Sequence, residues 1–333
     1  MIRIPFNEVC QELTRILKSL EFDGSKAEKC AEIFTQNTCD GVASHGLNRF
    51  PRFVQSVKSG RVDINAEAER AGSMGALEQW NGHKGIGPLN AVKSMNRAIE
   101  LSRKYGIGCV GLSNTNHWLR AGTYGLMAAK AGCIGICWTN TRALMPPWGS
   151  SEKKIGNNPM VMCVPQDRNP VLLDMAMSQF SNGKLEVLQR RGEQLPIAGG
   201  YDDAGELTTD PGAILKSRRA LPIGYWKGSG LAILLDLTAS LIANGQSTRE
   251  VSRQDNDSGV SQIFIAIDVV SKMGAETVSN KVDAILHDLL YTLPLDPASK
   301  VRYPGQGLFS KRTENLKKGI PVDSTLWQAI QKL

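Results

Sequence analysis

The sequence has little of what builds a metal centre or a base-stacking surface. Its 333 residues hold four histidines (His45, His83, His117 and His287), with no HExxH and no Cys/His cluster, so no metal site is expected. Aromatic residues make up 6% and show no stacking pattern, which weighs against single-stranded nucleic acid. No CxxC pair is present. The cysteines are odd in number, seven, and four of them (Cys109, Cys133, Cys137 and Cys163) sit in apolar runs. They read as reduced, buried thiols of a cytosolic protein rather than a disulfide framework. The first residues lack the shape of a signal peptide, and the longest apolar helix candidate, 231–243, is short and interrupted by Asp236. No membrane span is expected, and the expected location is cytoplasmic. G-x-S-x-G, the P-loop and a signature cysteine are missing too, so nucleophilic hydrolase chemistry finds little support.

What is present suits a globular protein. Hydrophobic residues are 41% and charged residues 21%, enough for one large domain or two ordinary ones with a sizeable core. The balance is basic, 39 Lys+Arg against 32 Asp+Glu, a formal charge of +7. The densest basic pairs, Lys153-Lys154, Arg190-Arg191, Arg218-Arg219 and Lys317-Lys318, lie far apart. Scatter of this kind fits a solvated surface with a positive cleft for a small anion better than a nucleic-acid footprint.

Hydrophobic spacing predicts helices through the first sixty residues, with Asp23-Gly24-Ser25 and Asp40-Gly41 as breaks and Ser44 capping a third helix that carries Leu47, Phe50, Phe53, Val54 and Val57. Further helices are predicted at 88–104, 122–131, 228–243, 276–290 and 324–332. Strands are predicted at 107–112, 133–139, 160–164, 171–174 and 263–270. The alternation points to an α/β core around a largely buried sheet. The polar, Gly-rich stretch 183–221 reads as a long surface excursion of the kind that serves as a lid or binding loop.

One dinucleotide-type motif is present, Gly106-Ile-Gly108-Cys-Val-Gly111, in the wrong context. A helix precedes it and its glycines fall in a strand, whereas a phosphate-binding fingerprint follows a strand and opens a helix. Gly224-Tyr-Trp-Lys227-Gly228-Ser229-Gly230 precedes a long helix, where free backbone N–H groups and Lys227 could hold an oxyanion; a plain turn with a surface lysine explains it equally well. His45 and Arg49, four apart, would share one helical face, so that the histidine could protonate a carbonyl oxygen while the arginine holds a carboxylate. A helix start lowers a histidine pKa, which works against such an acid, and a bound anion would offset it. A solvated histidine at a capped helix is the competing explanation. Asn116-His117-Trp118-Leu-Arg120 follows a strand, where α/β sheets bind ligands, although Asn116 and His117 could simply cap the next helix.

Five stretches then occur together and in order: Ser44-His45-Gly46 with Arg49, Asn116-His117, Ile155-Gly-Asn-Asn-Pro159, Leu173-Asp174-Met175 and Arg302-Tyr-Pro304-Gly305. Together they resemble the type-2 malate/lactate dehydrogenase family, over nearly the whole chain. The resemblance implies an α/β fold with a non-Rossmann, NAD(P)-binding mixed β-sheet domain flanked by helices (73–274), and a helical domain built from the terminal segments (1–72 with 275–333). It implies a homodimer with the active site near the subunit interface. His45 is then the proton donor, with His117 orienting the carbonyl or a hydroxyl. Arg49 or Arg120 would pair with the substrate carboxylate, and Asn116 would line the substrate site. Cofactor contacts would come from Leu172, Leu173, Asp174, Met175 and Ala176, from Trp226 and Lys227, and from Gly305, Gln306 and Gly307. NAD(H) is expected ahead of NADP(H).

Within the family, the stretches 44–53, 138–140, 145–149 and 221–230 look most similar to enzymes that reduce 2,3-diketo-L-gulonate at C2. Malate, lactate, ureidoglycolate, sulfolactate or a cyclic imino acid are the alternatives, and a nucleic-acid-binding basic protein is a remote one. The chain departs from the family pattern in two places. Asn157 stands where threonine is usual, and no acidic residue follows Pro304-Gly305, which bears on the choice between NAD and NADP.

Overall fold

The computed structural model describes residues 1–254 and 258–333. The chain starts with strand β1 (Ile2–Ile4) and three helices, α1 (Phe6–Ser19), α2 (Gly24–Cys39) and α3 (Phe50–Lys58). A hairpin of β2 (Glu69–Met74) and β3 (Leu77–Asn81) leads through α4 (Gly87–Tyr105) to β4 (Ile107–Thr115), α5 (Gly122–Lys130) and β5 (Cys133–Thr139). A small pair, β6 (Ala143–Met145) and β7 (Ile155–Gly156), precedes β8 (Met160–Val164) and β9 (Val171–Met175). The excursion that follows holds α6 (Asn182–Arg191), β10 (Gly200–Tyr201), β11 (Leu207–Thr208), α7 (Pro211–Ser217) and β12 (Arg219–Ala220). Then come α8 (Trp226–Ala243), α9 (Thr248–Val251), β13 (Val260–Asp268), α10 (Val270–Met273), α11 (Ala275–Leu290), α12 (Gln306–Lys318), β14 (Ile320–Val322) and α13 (Ser324–Gln331).

Local chemistry explains several of these boundaries. The Asp23 carboxylate accepts from the amides of Ser25 and Lys26 and starts α2. Pro88 sits in the first turn of α4, and Gly106, in the left-handed region, ends it. The main sheet has seven strands in the order β2-β3-β4-β13-β5-β8-β9. Only β3 and β4 run parallel, joined by α4; the other neighbours are antiparallel. The sheet is therefore mixed. Strand alternation sends Phe264 of β13 to one face, where it packs with Met95 of α4 and Tyr124 of α5. Ile263 goes to the other face, with Ala232, Leu235 and Ala239 of α8.

A separate core joins both ends of the chain. Val9, Leu13, Phe34, Phe50, Trp327 and Ile330 pack together, and β1 pairs with β14 across more than 300 residues of sequence. The excursion differs from the polar surface loop expected. It has its own small core of Leu185, Leu188, Leu195 and Ile214 and a three-stranded sheet.

Helix α8 also differs from expectation. It begins at Trp226 rather than Gly228 and, by length and composition, is long and apolar enough to cross a membrane. Within the fold, α8 packs on β13, and Asp236 ties it to neighbouring elements. Its Oδ1 accepts from Asn140 Nδ2 at 2.9 Å and from the Thr248 amide at 2.7 Å, so the charge is used by neighbouring elements. The helix still exposes Leu231, Ile233, Leu234, Leu237 and Leu241.

Candidate active site

The loop between α2 and α3 is set by close packing on α2. Two short 3-10 turns, Ala43–His45 and Leu47–Arg49, replace the continuous helix expected there, and Ser44 caps no helix. The cause is Gly46, which lies so close to α2 that a Cβ would collide with the Thr38 hydroxyl and come within 2.9 Å of the Phe34 carbonyl. Thr38 Oγ1 accepts from the Leu47 amide at 2.9 Å, and Asn37 Nδ2 donates to the His45 carbonyl at 2.9 Å. His45 is thus fixed by its backbone, and the expectation that it shares one α-helical face with Arg49 does not hold.

His45 lies against His117, with ring centroids 5.8 Å apart and planes 10° from parallel. The Ser44 hydroxyl is 3.2 Å from His45 Nδ1. On His117, Nδ1 accepts from the Leu119 amide at 2.9 Å, which leaves Nε2 to carry the proton of the neutral ring. Leu119 holds φ +68°, a costly conformation for a bulky residue, and it supplies the amide that orients His117. Both imidazoles have lowered pKa values. His45 falls to about 4 through burial, then through Arg49 and Arg120. His117 falls well below its ordinary value through burial, Arg49, His45 and Arg52.

Arg49, Arg52, Arg61, Asn116 and His117 share a small cavity of about 60 Å³. Asn116 is largely spent on structure. Its Nδ2 donates to the carbonyls of Arg61, Lys84 and Gly85 at 3.2, 2.6 and 2.9 Å. Arg120 is 4% exposed, with Nη1 on Asp40 Oδ2 at 2.5 Å and Nε 3.4 Å from Asp174 Oδ2.

Two of the segments that the resemblance links to a cofactor border the third at its opposite ends. The Leu172 amide donates to the Pro304 carbonyl at 3.2 Å, and Gly305, φ +83°, sits where a Cβ would come within 3.0 Å of the Leu172 backbone. At the other end of that stretch, the Ile223 amide donates to the Met177 carbonyl at 2.8 Å and brings the start of α8 alongside. There Trp226 is 65% exposed, with Lys227 Nζ 5.9 Å from its ring centroid. Tyr225, φ +58°, packs edge-on against Trp148. Gln306 and Gly307 line an open cavity of about 790 Å³ together with Lys300 and Arg302. The excursion reaches the histidine loop as well, since a Cβ on Gly183 would lie 3.6 Å from that of Ser44.

The stretch 155–159 is scaffold. Asn158 Oδ1 accepts from the Thr141 amide, and its Nδ2 donates to the Ala232 carbonyl. Asn157 Oδ1 accepts from the Thr141 hydroxyl at 3.0 Å. Sequence reasoning did not single out Asp40, Arg312 or Gly183, and it met Trp148 only inside the resemblance stretch 145–149. Asp40 and Gly183 sit in segments that read only as a helix end and a loop.

A family model described as malate/L-lactate dehydrogenase matches residues 4–331. A 2,3-diketo-L-gulonate reductase of Escherichia coli O17:K52:H18 (strain UMN026 / ExPEC) is 46% identical over 334 residues, covering 100% of both chains. Among solved structures, malate dehydrogenase from Pyrococcus horikoshii OT3 superposes with a TM-score of 0.89 at 28% identity, over 99% of this chain and 95% of that one. Sulfolactate dehydrogenase from Methanocaldococcus jannaschii gives 0.89 at 26% identity, over 99% and 96%.

Proposed function

Because this chain belongs to the malate/L-lactate dehydrogenase family, we propose that it is a nicotinamide-dependent reductase whose substrate is 2,3-diketo-L-gulonate, reduced at C2 to 3-dehydro-L-gulonate. The observation that carries the chemistry is the stacked His45–His117 pair among arginines. The full-length likeness to a 2,3-diketo-L-gulonate reductase carries the substrate.

A nicotinamide dinucleotide suits the residues available. Gly305, packed on the Leu172 backbone, joins the 305–307 turn to β9, and Lys227 and Arg302 supply cations for phosphate groups. The cavity at Gln306 has the size of a cofactor pocket. Leu172–Met175 with Ala176, Trp226-Lys227 and Gly305-Gln306-Gly307 would hold it. Bound in reduced form, it supplies the hydride that the keto carbon accepts. Arg49 or Arg120 pairs with the C1 carboxylate and fixes which face of the carbonyl is presented. His117, protonated on Nε2, donates to the carbonyl oxygen or a neighbouring hydroxyl. Negative charge develops on that oxygen, and His45 transfers a proton to it. Ser44, at Nδ1, leaves Nε2 of His45 as the transferring atom.

NAD(H) is the cofactor proposed. Among the described residues, Lys300 and Arg302 line the Gln306 cavity and no carboxylate does, which supports NADP(H) as the second reading. We also read the terminal segments as one unit and the sheet as another, in a cytoplasmic protein that pairs with a second copy through the apolar face of α8.

Nicotinamide absorbance, followed with NADH and NADPH against 2,3-diketo-L-gulonate, oxaloacetate, pyruvate and a cyclic imino acid, tests the reading. Oxidation with diketogulonate alone is expected. Activity only on another acid discards the substrate and keeps the chemistry, and no turnover on any acid discards the reductase. Light scattering on the eluting protein reports whether it is a dimer.

A further inference from the structure

The Asp40 carboxylate joins three segments, and a fourth is reached through Arg120. Arg312 of α12 donates to it twice, Nε to Oδ1 at 2.6 Å and Nη2 to Oδ2 at 2.7 Å. Arg120 Nη1 donates to Oδ2 at 2.5 Å, and Gln36 Nε2 to Oδ1 at 2.7 Å. Arg120 in turn reaches Asp174 of β9, whose Oδ2 accepts from the Gly122 amide at 2.9 Å. The Asp40 and Arg120 side chains are 1% and 3% exposed. Two carboxylates and two guanidinium groups cancel in charge.

Stability alone is a poor reason for this arrangement. Desolvating four charges is costly, and an apolar set of the same shape commonly holds a fold as well or better. Mere docking of α12 on α2 is already served by Asn315, whose Nδ2 donates to the Cys39 carbonyl at 2.8 Å. The placement of the network is informative. Asp40 precedes His45 by five residues, Arg120 follows His117 by three, Asp174 lies in β9, and Arg312 stands on the helix that opens at Gln306. Arg120 Nε makes only the longer 3.4 Å contact with Asp174 Oδ2, and the shorter bond on its guanidinium is Nη1 to Asp40 at 2.5 Å. Arg312 grips the other edge of that carboxylate in a bidentate pair, the geometry that fixes a carboxylate's orientation most firmly.

We propose that Arg312 and Asp40 are positioning residues: together they fix the Arg120 guanidinium between the His45 loop and Asp174, and so set how a bound keto acid meets His45. The inference rests on the reductase reading. C-terminal helix α12 is then part of the catalytic geometry without touching substrate.

Steady-state kinetics on the full-length enzyme test it, with Arg312→Gln, Arg312→Lys, Arg120→Lys and the Arg312→Gln/Arg120→Lys pair. Arg312 is 20% exposed, so Arg312→Gln should fold, and thermal unfolding checks that. Arg312→Gln is expected to lower kcat about tenfold, with KM for the keto acid and the cofactor Kd each moving less than about threefold. Arg312→Lys should recover part of the loss, because one charge returns without the fork. In the Arg120→Lys background, Arg312→Gln should cost less than about twofold further, since its effect runs through Arg120. Wild-type kcat in folded Arg312→Gln, or the same fold-loss in both backgrounds, would reduce the network to a strut.

If the wild type turns over no keto acid, the reductase reading has failed instead. Imidazole NMR of His45, resolved by comparison with His45→Ala, then tests the positioning by itself. The charged groups facing His45 are Arg49, Arg120 and His117. Arg312→Gln should move its titration and Arg312→Lys should partly restore it; an unmoved titration overturns the proposal.

Discussion

In β4, the glycines at 108 and 111 are consumed by packing, whereas Gly106 before them has open space around it and, at φ +83°, ends α4. A Cβ on Gly108 would collide with the Ala98 carbonyl of α4, and one on Gly111 would come within 2.8 Å of the Ala243 backbone of α8. The strand is pinched between helices on both faces, which leaves no room for a phosphate. At the start of α8, the glycines are less constrained. Gly228 is forced, since a Cβ there would strike the Ile223 carbonyl, yet a Cβ on Gly230 would meet nothing within 4 Å. Gly224 adopts φ +61° beside the exposed Trp226 and Lys227. The run that matches a nucleotide motif is internal packing, and the run that matches none keeps its surface open. Asn158 and Asp236 have their groups used by the scaffold, whereas His45, His117 and Lys227 retain capacity for chemistry.

The largest effect expected on the open side is at His45. His45→Ala should lower turnover about 10²- to 10⁴-fold, the range of general acid catalysis, while thermal unfolding and cofactor binding change little. Near-normal turnover would sink the proton-donor role. The pH profile sharpens this. With its pKa held near 4, His45 is neutral in the free enzyme at pH 7. Reduction needs the protonated form, so kcat/KM for the keto acid should fall as pH rises above about 4. A bound carboxylate raises the pKa, so the same limb in kcat should lie at higher pH. Oxidation of the hydroxy acid needs the neutral form and should hold its kcat/KM from neutrality down to about pH 4. Stability follows the same sign. The unfolded chain binds this proton near pH 6.5 and the folded chain only near 4, so this group's contribution is lost as pH falls through that window.

On the packed side, Gly108→Ala should cost about 3 kcal/mol, because the methyl meets backbone that cannot move aside. Denaturant unfolding would report it. A stable Gly108→Ala enzyme would show that α4 can retreat, and the contrast between the two runs would weaken.

The strongly periodic elements were legible without a structure: α4, β4, β5 and β8 stand within a few residues of expectation, because one buried face dictates their pattern. Pairing of β1 with β14 was not, since it joins chain ends whose local sequence carries no record of the partner. Helix α12 was missed because only Asn315 in it is buried, leaving no apolar stripe to read. The His45 and Asn116–Arg120 clusters were visible as residue types. The turn at Gly46 was not, because its cause is a clash with Thr38 on another element. Asp40 and Arg312 were invisible for a related reason: each is an ordinary charged residue until the fold brings them within 2.7 Å.

Lys227→Ala should weaken cofactor binding about tenfold with the fold intact, as loss of one charge-assisted contact does. Intrinsic fluorescence titration reads it, given the exposed Trp226 beside Lys227. An unchanged Kd would return this segment to a plain turn.

The smallest effect is the most discriminating. Gly230 lies inside the first turns of α8, where glycine costs about 0.5–1 kcal/mol relative to alanine, and no neighbour requires it. Gly230→Ala should therefore raise the melting temperature by a degree or two. If the missing side chain serves to let a ligand approach the backbone, the same variant should bind cofactor about threefold more weakly. Stabilisation with unchanged binding would mean that this glycine is merely tolerated. The open run would then owe its function to Lys227 and Trp226 alone, and the contrast with the β4 glycines would reduce to a difference in packing.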